Sequence, residues 1–516
     1  MIDEERIPVV AAAGQTLERD EIVSTEDLVE RASRAALDEA AALASRIGRV
    51  SVVSTIFSPS VANGATDVSR RLGIAPDVTE VTTAGGNTPQ WLVTRAAEDI
   101  AAGRLGATLI AGAESTRSAR AAGAQQGLIQ RKDDDAGDAD PIVGASQDGM
   151  LSAAEIQVRL FLPAQVYPLF ESALAARDGR SFGEQRGFLG TLMAPFARVA
   201  ASHPYAWFRD PVSPGDIATP SESNRITAEP YTKRMNAFPN VDLGAALVVC
   251  SLAEARRAGI ADGAVFVWSG ADTAEVLAPT ARPNLAASPA IAAAGARALG
   301  AAGINIDDID HFDFYSCFPS AVQLGAEAIG LALDDRRGLT VTGGLPYFGG
   351  PGNNYPTHSI ATIVSVLREQ PGKALITGLG GFVTKHAVGI YGSEPPPDGF
   401  RRGDTRGDQK CIDEAGLDVA LSDADGEATV EASTVVYGAG GRVESVPVIA
   451  TLDDGRRVAA LASGGDLEQF KGVSLVGARI RVGGSPPSFR VEELAPGAEA
   501  GLRRHGASSP GREGGG

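Results

Sequence analysis

The chain has 516 residues, 44% hydrophobic and 21% charged, so its length calls for two or three domains and its composition is that of a folded globular protein. Lys plus Arg number 46 against 64 Asp plus Glu, and the net charge of −18 argues against nucleic acid or an anionic membrane surface as partner. Cys250, Cys317 and Cys411 have no metal-type spacing, no run approaches ~18 apolar residues, and the MIDEER start lacks a signal-peptide core; a cytoplasmic chain with reduced thiols, no metal and no membrane partner is expected.

In chain order, 7–12 (IPVVAA) reads as a strand and 24–43 as a helix, with Ser24 or Thr25 as N-cap and Glu26 and Asp27 in its first turn. A strand at 50–56, a helix at 61–72 and a strand at 77–83 lead into AGGNTPQ (84–90), a helix over 88–102 and a strand over 107–113. Such alternation indicates a mostly parallel sheet covered by helices. From 117 to 231 the pattern loosens into a solvated acidic patch at 132–140 and helices at 153–166, 169–176 and 183–200, an insertion across the sheet. Regularity returns with a strand at 244–251, a helix at 252–258 and a strand at 264–269.

The second half repeats this plan. A helix over 289–299, with Ser288 as cap and Pro289 in its first turn, precedes a strand at 311–315, the turn SCFPS and a helix at 321–330. The stretch 339–391 then carries two Gly-rich loops, each after a β-branched run; glycine at that density marks backbone that something approaches closely. Strand, strained turn, helix and strand occur twice, at 81–113 and 311–377, so two similar α/β halves are expected, with 1–280 (including an insertion at about 117–231) as the first and 281–394 as the second.

Beyond 395 the PPP and RRGDTRGDQ segments read as a linker (395–426). Five short strands with turn signals follow within 427–506, the pattern of a small OB-like all-β barrel, and 507–516 is expected to be a disordered tail. From 398 onward there are 14 Lys or Arg, 19 Asp or Glu and four aromatics, so this barrel offers no cationic groove or stacking platform for nucleic acid.

Chemistry concentrates at the Gly-rich turns. ALITGLGG (374–381) lacks G-x-G-x-x-G spacing and is followed by a strand-like run, which removes the case for a nicotinamide cofactor. AGGNTPQ at a helix start is a cradle for an anion or oxyanion.

The ordered blocks GGNTPQ, IAAG, AGAES, DLGAALVV, YSCF, GGPGNNYPTH and GLGGFVTKH, spanning residue 7 to about 393, resemble the thiolase superfamily, and within it the sterol-carrier-protein thiolase and thiolase-like branch. The barrel resembles the extra C-terminal domain of actinobacterial thiolase-like proteins. The resemblance implies a five-layered αβαβα fold and an acyl-CoA thioester ligand, with no other cofactor and a possible homodimer paired through the edge strand at 77–83. It also implies an acetyl-CoA acetyltransferase-like acyltransferase of lipid or sterol metabolism.

The family's catalytic groups are missing when carried over position by position. Gly86 stands in the slot of the nucleophilic cysteine; Tyr315, Ser316, Cys317 and Phe318 stand in the His-Asp-Cys-Phe slot; Gly349, Gly350 and Pro351 replace Gly-His-Pro; Gly378, Leu379 and Gly380 replace Cys-x-Gly. Glycine forms no acyl-enzyme and moves no proton, so ordinary thiolase activity is expected to be absent or very low. The remaining catalytic candidates are Tyr315, Cys317 (a thiol that a helix N-terminus would activate), His358 and His386, with Tyr347 and Tyr355 as further proton carriers. Each has a structural alternative as a packed core side chain. Gly85, Gly86, Asn87, Gly350, Asn353, Gly378 and Gly380 are the candidate ligand-binding residues. Three activities stay open: a diverged acyl-CoA transferase, a retro-aldol lyase acting on a β-hydroxyacyl-CoA, and a non-catalytic acyl-CoA or lipid-binding protein.

Overall fold

The computed structural model describes residues 4–123, 131–132, 138–146 and 148–495; the 507–516 tail and most of the acidic patch lie outside them. The first half contains β1 (Pro8–Leu17), α1 (Thr25–Glu39), β2 (Ile47–Val52), α2 (Gly64–Leu72), β3 (Val78–Thr82), α3 (Thr88–Ala101) and β4 (Ala107–Ser115). After an insertion carrying α4 (Pro163–Arg177) and α5 (Phe182–Ser202), β5 (Asp242–Ser251) and β6 (Val265–Ala274) follow. The second half continues with α6 (Pro289–Ala302), β7 (His311–Asp313), α7 (Pro319–Ala328), α8 (Tyr355–Glu369), β8 (Lys373–Gly380) and β9 (Lys385–Gly392).

The two halves have the same strand plan. In the first, β2, β4, β5 and β1 lie side by side, joined by a parallel pair and then two antiparallel pairs. In the second, β7, β8, β9 and β6 repeat that order and those senses. The halves meet where Val9 and Val10 pair with Phe266 and Val265. α3 and α8 form the middle layer: Leu92, Val93, Ile360 and Ile363 share one core with Leu247 and Val249 of the first half and Val267 and Ile376 of the second. α1 and α2 cover the outer face of the first half, while α6, α7 and the insertion helices cover that of the second. This is the αβαβα thiolase arrangement. β4 and β5 are buried along their whole length, which is why ATLIAGAES and DLGAALVVCS read as nearly unbroken runs of small and apolar residues.

Local signals set many boundaries. The Ser24 side chain accepts from the Asp27 amide while Asp27 reaches back to the Ser24 amide, and Ser288 with Pro289 starts α6 as expected. The helix expected over 153–166 is instead two, Ala153–Gln157 and α4, because Pro163 cannot continue a helix but readily begins one. The 395–426 segment, expected as a linker, holds a short strand, Arg401–Arg402, beside β6 and a helix, Arg406–Glu414.

The C-terminal strands β10 (Gly426–Ser433), β11 (Pro447–Leu452), β12 (Arg457–Ala462), β13 (Arg479–Gly483) and β14 (Ser488–Glu493) close a barrel in the order β10-β11-β12-β14-β13, with β12 and β14 its one parallel pair. This is an OB-like path. The barrel has its own core around Val430, Val448, Val458, Ile480 and Phe489, yet Ala432, Ile449 and Ala459 pack into the core of the second half. No helix among the described residues is long and apolar enough to cross a membrane.

Candidate active site

Three elements converge around Gly86. The β3–α3 turn brings Gly85, Gly86 and Asn87; the end of β8 brings Gly378, Leu379 and Gly380; and Tyr315 enters from the turn after β7. A Cβ on Gly86 would lie 2.5 Å from the Tyr315 hydroxyl oxygen and 2.6 Å from the Leu379 carbonyl oxygen. The phenol therefore fills the space a cysteine side chain needs. A Cβ on Gly378 would lie 2.9 Å from the Gly86 carbonyl oxygen and 3.0 Å from Asn87 Cα, and one on Gly380 would run into Asn87 Oδ1. These glycines let two backbone segments touch.

Asn353 ties this turn to the first half: its Oδ1 accepts from the Gly85 amide at 2.9 Å and its Nδ2 donates to the Ser54 carbonyl at 2.8 Å. Gly350 belongs elsewhere. Its amide donates to the Phe238 carbonyl at 2.9 Å, and the next residue back in that segment, Ala237, donates to the Cys317 carbonyl at 2.8 Å.

The four catalytic candidates are all buried, and burial moves each away from neutral-pH proton transfer. The Tyr315 phenol is raised well above its usual range. The Cys317 thiol is pushed up to about 12, which corrects the expectation of a helix-activated thiolate: desolvation outweighs the dipole of α7. His358 falls to about 3 through burial and the nearby His203; it lies on α8 with Nδ1 2.7 Å from Gln15 Oε1, in a cluster with His203 and Thr362 rather than beside Gly86. His386 on β9 also falls to about 3 through burial, and its Nε2 has no hydrogen-bond partner. Tyr355 is buried with its hydroxyl 2.5 Å from Thr342 Oγ1, and Tyr347 is buried with its hydroxyl unpartnered.

Antiparallel pairing sets Leu379 opposite His386 and Gly380 opposite Lys385. The turn between them is strained: Val383, a β-branched residue, has φ of +52°. It is held by Arg282 Nη1 donating to the Phe382 carbonyl at 2.8 Å and by Tyr167, whose hydroxyl donates to the Gly381 carbonyl at 2.8 Å. Lys385 thereby borders a cavity of about 630 Å³, bounded by Asn87, Thr88 and Trp91 of the α3 start, the end of β6, and helix Arg406–Glu414, while the next residue of the strand, His386, turns its side chain to the opposite face beside Tyr315 and Leu379. The volume suits a small organic ligand. Among the described residues no cluster of three or more His, Cys, Asp or Glu could hold a metal.

Lys385 is the functional candidate the sequence reading passed over. Its signal was available: the chain has only six lysines, and this one sits in a strand of otherwise apolar and small residues.

A solved structure of an SCP2-thiolase like protein type 1 from Mycobacterium smegmatis, described as monomeric, matches at 32% identity and a TM-score of 0.80, over 95% of this chain and 100% of that one. The chain belongs to the SCP2-thiolase-like family. The match extends through the barrel, so this SCP2-thiolase-like protein shares its relative's whole two-part architecture. The Ltp2-ChsH2(DUF35) aldolase (20% identity, TM-score 0.58, 75% of this chain and 98% of that one) has the thiolase fold in common with it. So does the dimeric peroxisomal thiolase of Saccharomyces cerevisiae (14%, 0.54, 76% and 98%). No family model matches the chain, and no curated protein sequence does.

Proposed function

We propose that this SCP2-thiolase-like protein binds acyl-CoA thioesters, of lipid or sterol origin, without condensing them. The observation that carries the reading is the Tyr315 side chain packed against Gly86: the nucleophile is absent and its space is filled. No acyl-enzyme can form there. The displacement of Tyr315, Cys317, His358 and His386 from neutral-pH titration supports a binding role over an acyltransferase. It equally disfavours a retro-aldol lyase, which needs a base and an acid near the ligand carbonyl. The cavity beside Asn87 and Lys385 is the place we assign to the acyl end of the ligand.

The protein acts as a monomer in this reading. The outer edge of β3, where a second copy would pair, is covered by the chain's own Ile142–Val143 strand, with the Val81 amide donating to the Pro141 carbonyl at 2.9 Å and Thr83 to Val143 at 2.8 Å.

Calorimetry with butyryl-CoA tests binding, and thiolysis of acetoacetyl-CoA tests chemistry. Saturable binding without thiolysis is the expected pair of results; thiolysis at an ordinary enzymatic rate, or no binding of any acyl-CoA, would overturn the proposal.

A further inference from the structure

Lys385 is the one buried lysine among the described residues, 3% exposed. Its Nζ donates to two neutral oxygens, the Ala84 carbonyl at 2.9 Å and the Ala145 carbonyl at 3.4 Å, and no carboxylate among the described residues pairs with it. Asp272, on the same cavity wall, is engaged by Arg402 at 2.7 Å. An ammonium without a counter-charge at the start of a helix is costly, since desolvation and the α3 dipole both oppose it. One polar atom beside it, Asn87 Oδ1, is buried and has no hydrogen-bond partner; a Cβ built on Gly85 would lie 2.4 Å from that oxygen and 3.3 Å from Lys385 Nζ. The arrangement is an amine, set in a ligand-sized cavity, with one unused polar atom beside it.

We propose that Lys385 captures the ketone of a β-ketoacyl thioester as a reversible imine, so that the protein selects β-keto over saturated acyl chains. This rests on the thioester-binding reading above. The lone pair of neutral Nζ adds to the ketone carbon, and the new C–N bond leaves a carbinolamine whose oxygen takes up a proton. Loss of that oxygen as water, with the remaining N–H proton released, gives the C=N bond. Ketone and amine give imine and water, and no oxidant or reductant takes part. Asn87 Oδ1 accepts from the carbinolamine hydroxyl. Burial brings the Lys385 amine down to about 8, so a usable fraction is neutral near physiological pH.

The test is reductive trapping of the full chain at pH 7.5 with acetoacetyl-CoA and cyanoborohydride, read by intact mass and peptide mapping. Calorimetry with butyryl-CoA is run on the same preparation. One adduct per chain, on Lys385, lost in Lys385→Arg and Lys385→Met variants whose thermal melting shows them folded, is expected. Butyryl-CoA binding with no adduct at Lys385, or with adducts spread over the exposed lysines, overturns the imine and leaves the binding reading standing. Absence of binding by either thioester overturns both.

Discussion

The Tyr315 hydroxyl oxygen stands 2.5 Å from the point a Cβ on Gly86 would occupy. Placing a cysteine there by Gly86→Cys alone is therefore expected to cost stability, on the order of 1–3 kcal/mol from overpacking, and to give no thiolysis. Adding Tyr315→Ala removes the phenol but leaves the Leu379 carbonyl oxygen 2.6 Å from the new Cβ and deletes a buried ring, so the double variant should be less stable still than Gly86→Cys. Urea unfolding of the two variants checks this; a Gly86→Cys protein as stable as wild type would mean that Tyr315 moves aside freely.

Two glycines that the family resemblance sets at catalytic positions, Gly350 and Gly378, differ in surroundings. A Cβ on Gly350 would meet its nearest atoms at 3.4–3.6 Å, ordinary contact, whereas one on Gly378 would press on the backbone of Gly86 and Asn87 at 2.9–3.0 Å. Gly350→Ala is expected to shift stability by no more than about 0.5 kcal/mol, while Gly378→Ala loses about 1–3 kcal/mol. Chemical denaturation of the pair gives the comparison, and equal losses would contradict it.

Much of the fold was legible because it rests on local chemistry: the caps at Ser24 and Ser288, the apolar runs of β4 and β5, and the repeated order of strand, turn and helix. Gly86 and Gly378 were legible too, as residue types at Gly-rich turns. What packs against them was not. Tyr315 reaches Gly86 only because β7 and the β3–α3 turn belong to different halves that meet in space, and no local pattern encodes that contact. The same holds for Cys317, whose burial overrides the helix dipole, and for Lys385, whose partners Ala84 and Ala145 are distant in sequence.

Buried histidines make the protein sensitive to acid. His203 is lowered to about 4, and His358 to about 3, by burial. Below the unfolded value of about 6.5 the unfolded chain takes up protons that the native His358 refuses, so its contribution is full above that pH and is lost as pH falls toward 3. Glu114, raised to about 7 by burial, acts in the opposite sense between about 4.5 and 7, so the comparison must be between proteins rather than between pH values. Relative to wild type, His358→Gln is expected to gain up to ~1.4 kcal/mol for each pH unit between 6.5 and 4. Urea titrations of both proteins at pH 7 and pH 5 measure the difference; a pH-independent gap would refute it.

The covered β3 edge predicts a monomer. Sedimentation equilibrium should return about the chain mass of 53.0 kDa at micromolar concentration. Replacing 139–146 by a short Gly-Ser linker uncovers the Val78–Thr82 strand and is expected to raise self-association. A wild-type dimer would show that Ile142–Val143 does not block the edge, and an unchanged monomer after the replacement would show that it is not what blocks it.

The barrel and the body are expected to unfold together. Ala432, Ile449 and Ala459 lie in the same core as Phe170, Leu174 and Leu285, and the Ser433 amide donates to Ser172 Oγ of α4 at 3.0 Å. Glu229 of the insertion is buried and receives the Tyr437 hydroxyl at 2.9 Å and Arg186 at 2.6 Å, while Arg457 of β12 donates to the Pro283 carbonyl at 2.8 Å. Removing the barrel would leave the Glu229 carboxylate short of one partner and expose apolar surface on α4. Calorimetric melting of the full chain should therefore show one transition, and a chain ending at 394 should aggregate or melt well below it. Arg457→Ala, which leaves the Pro283 carbonyl unpaired, is expected to lower stability by about 1–3 kcal/mol while keeping the single transition. Two separated transitions in the full chain would make the barrel an independent domain, and the shared core would then count for little.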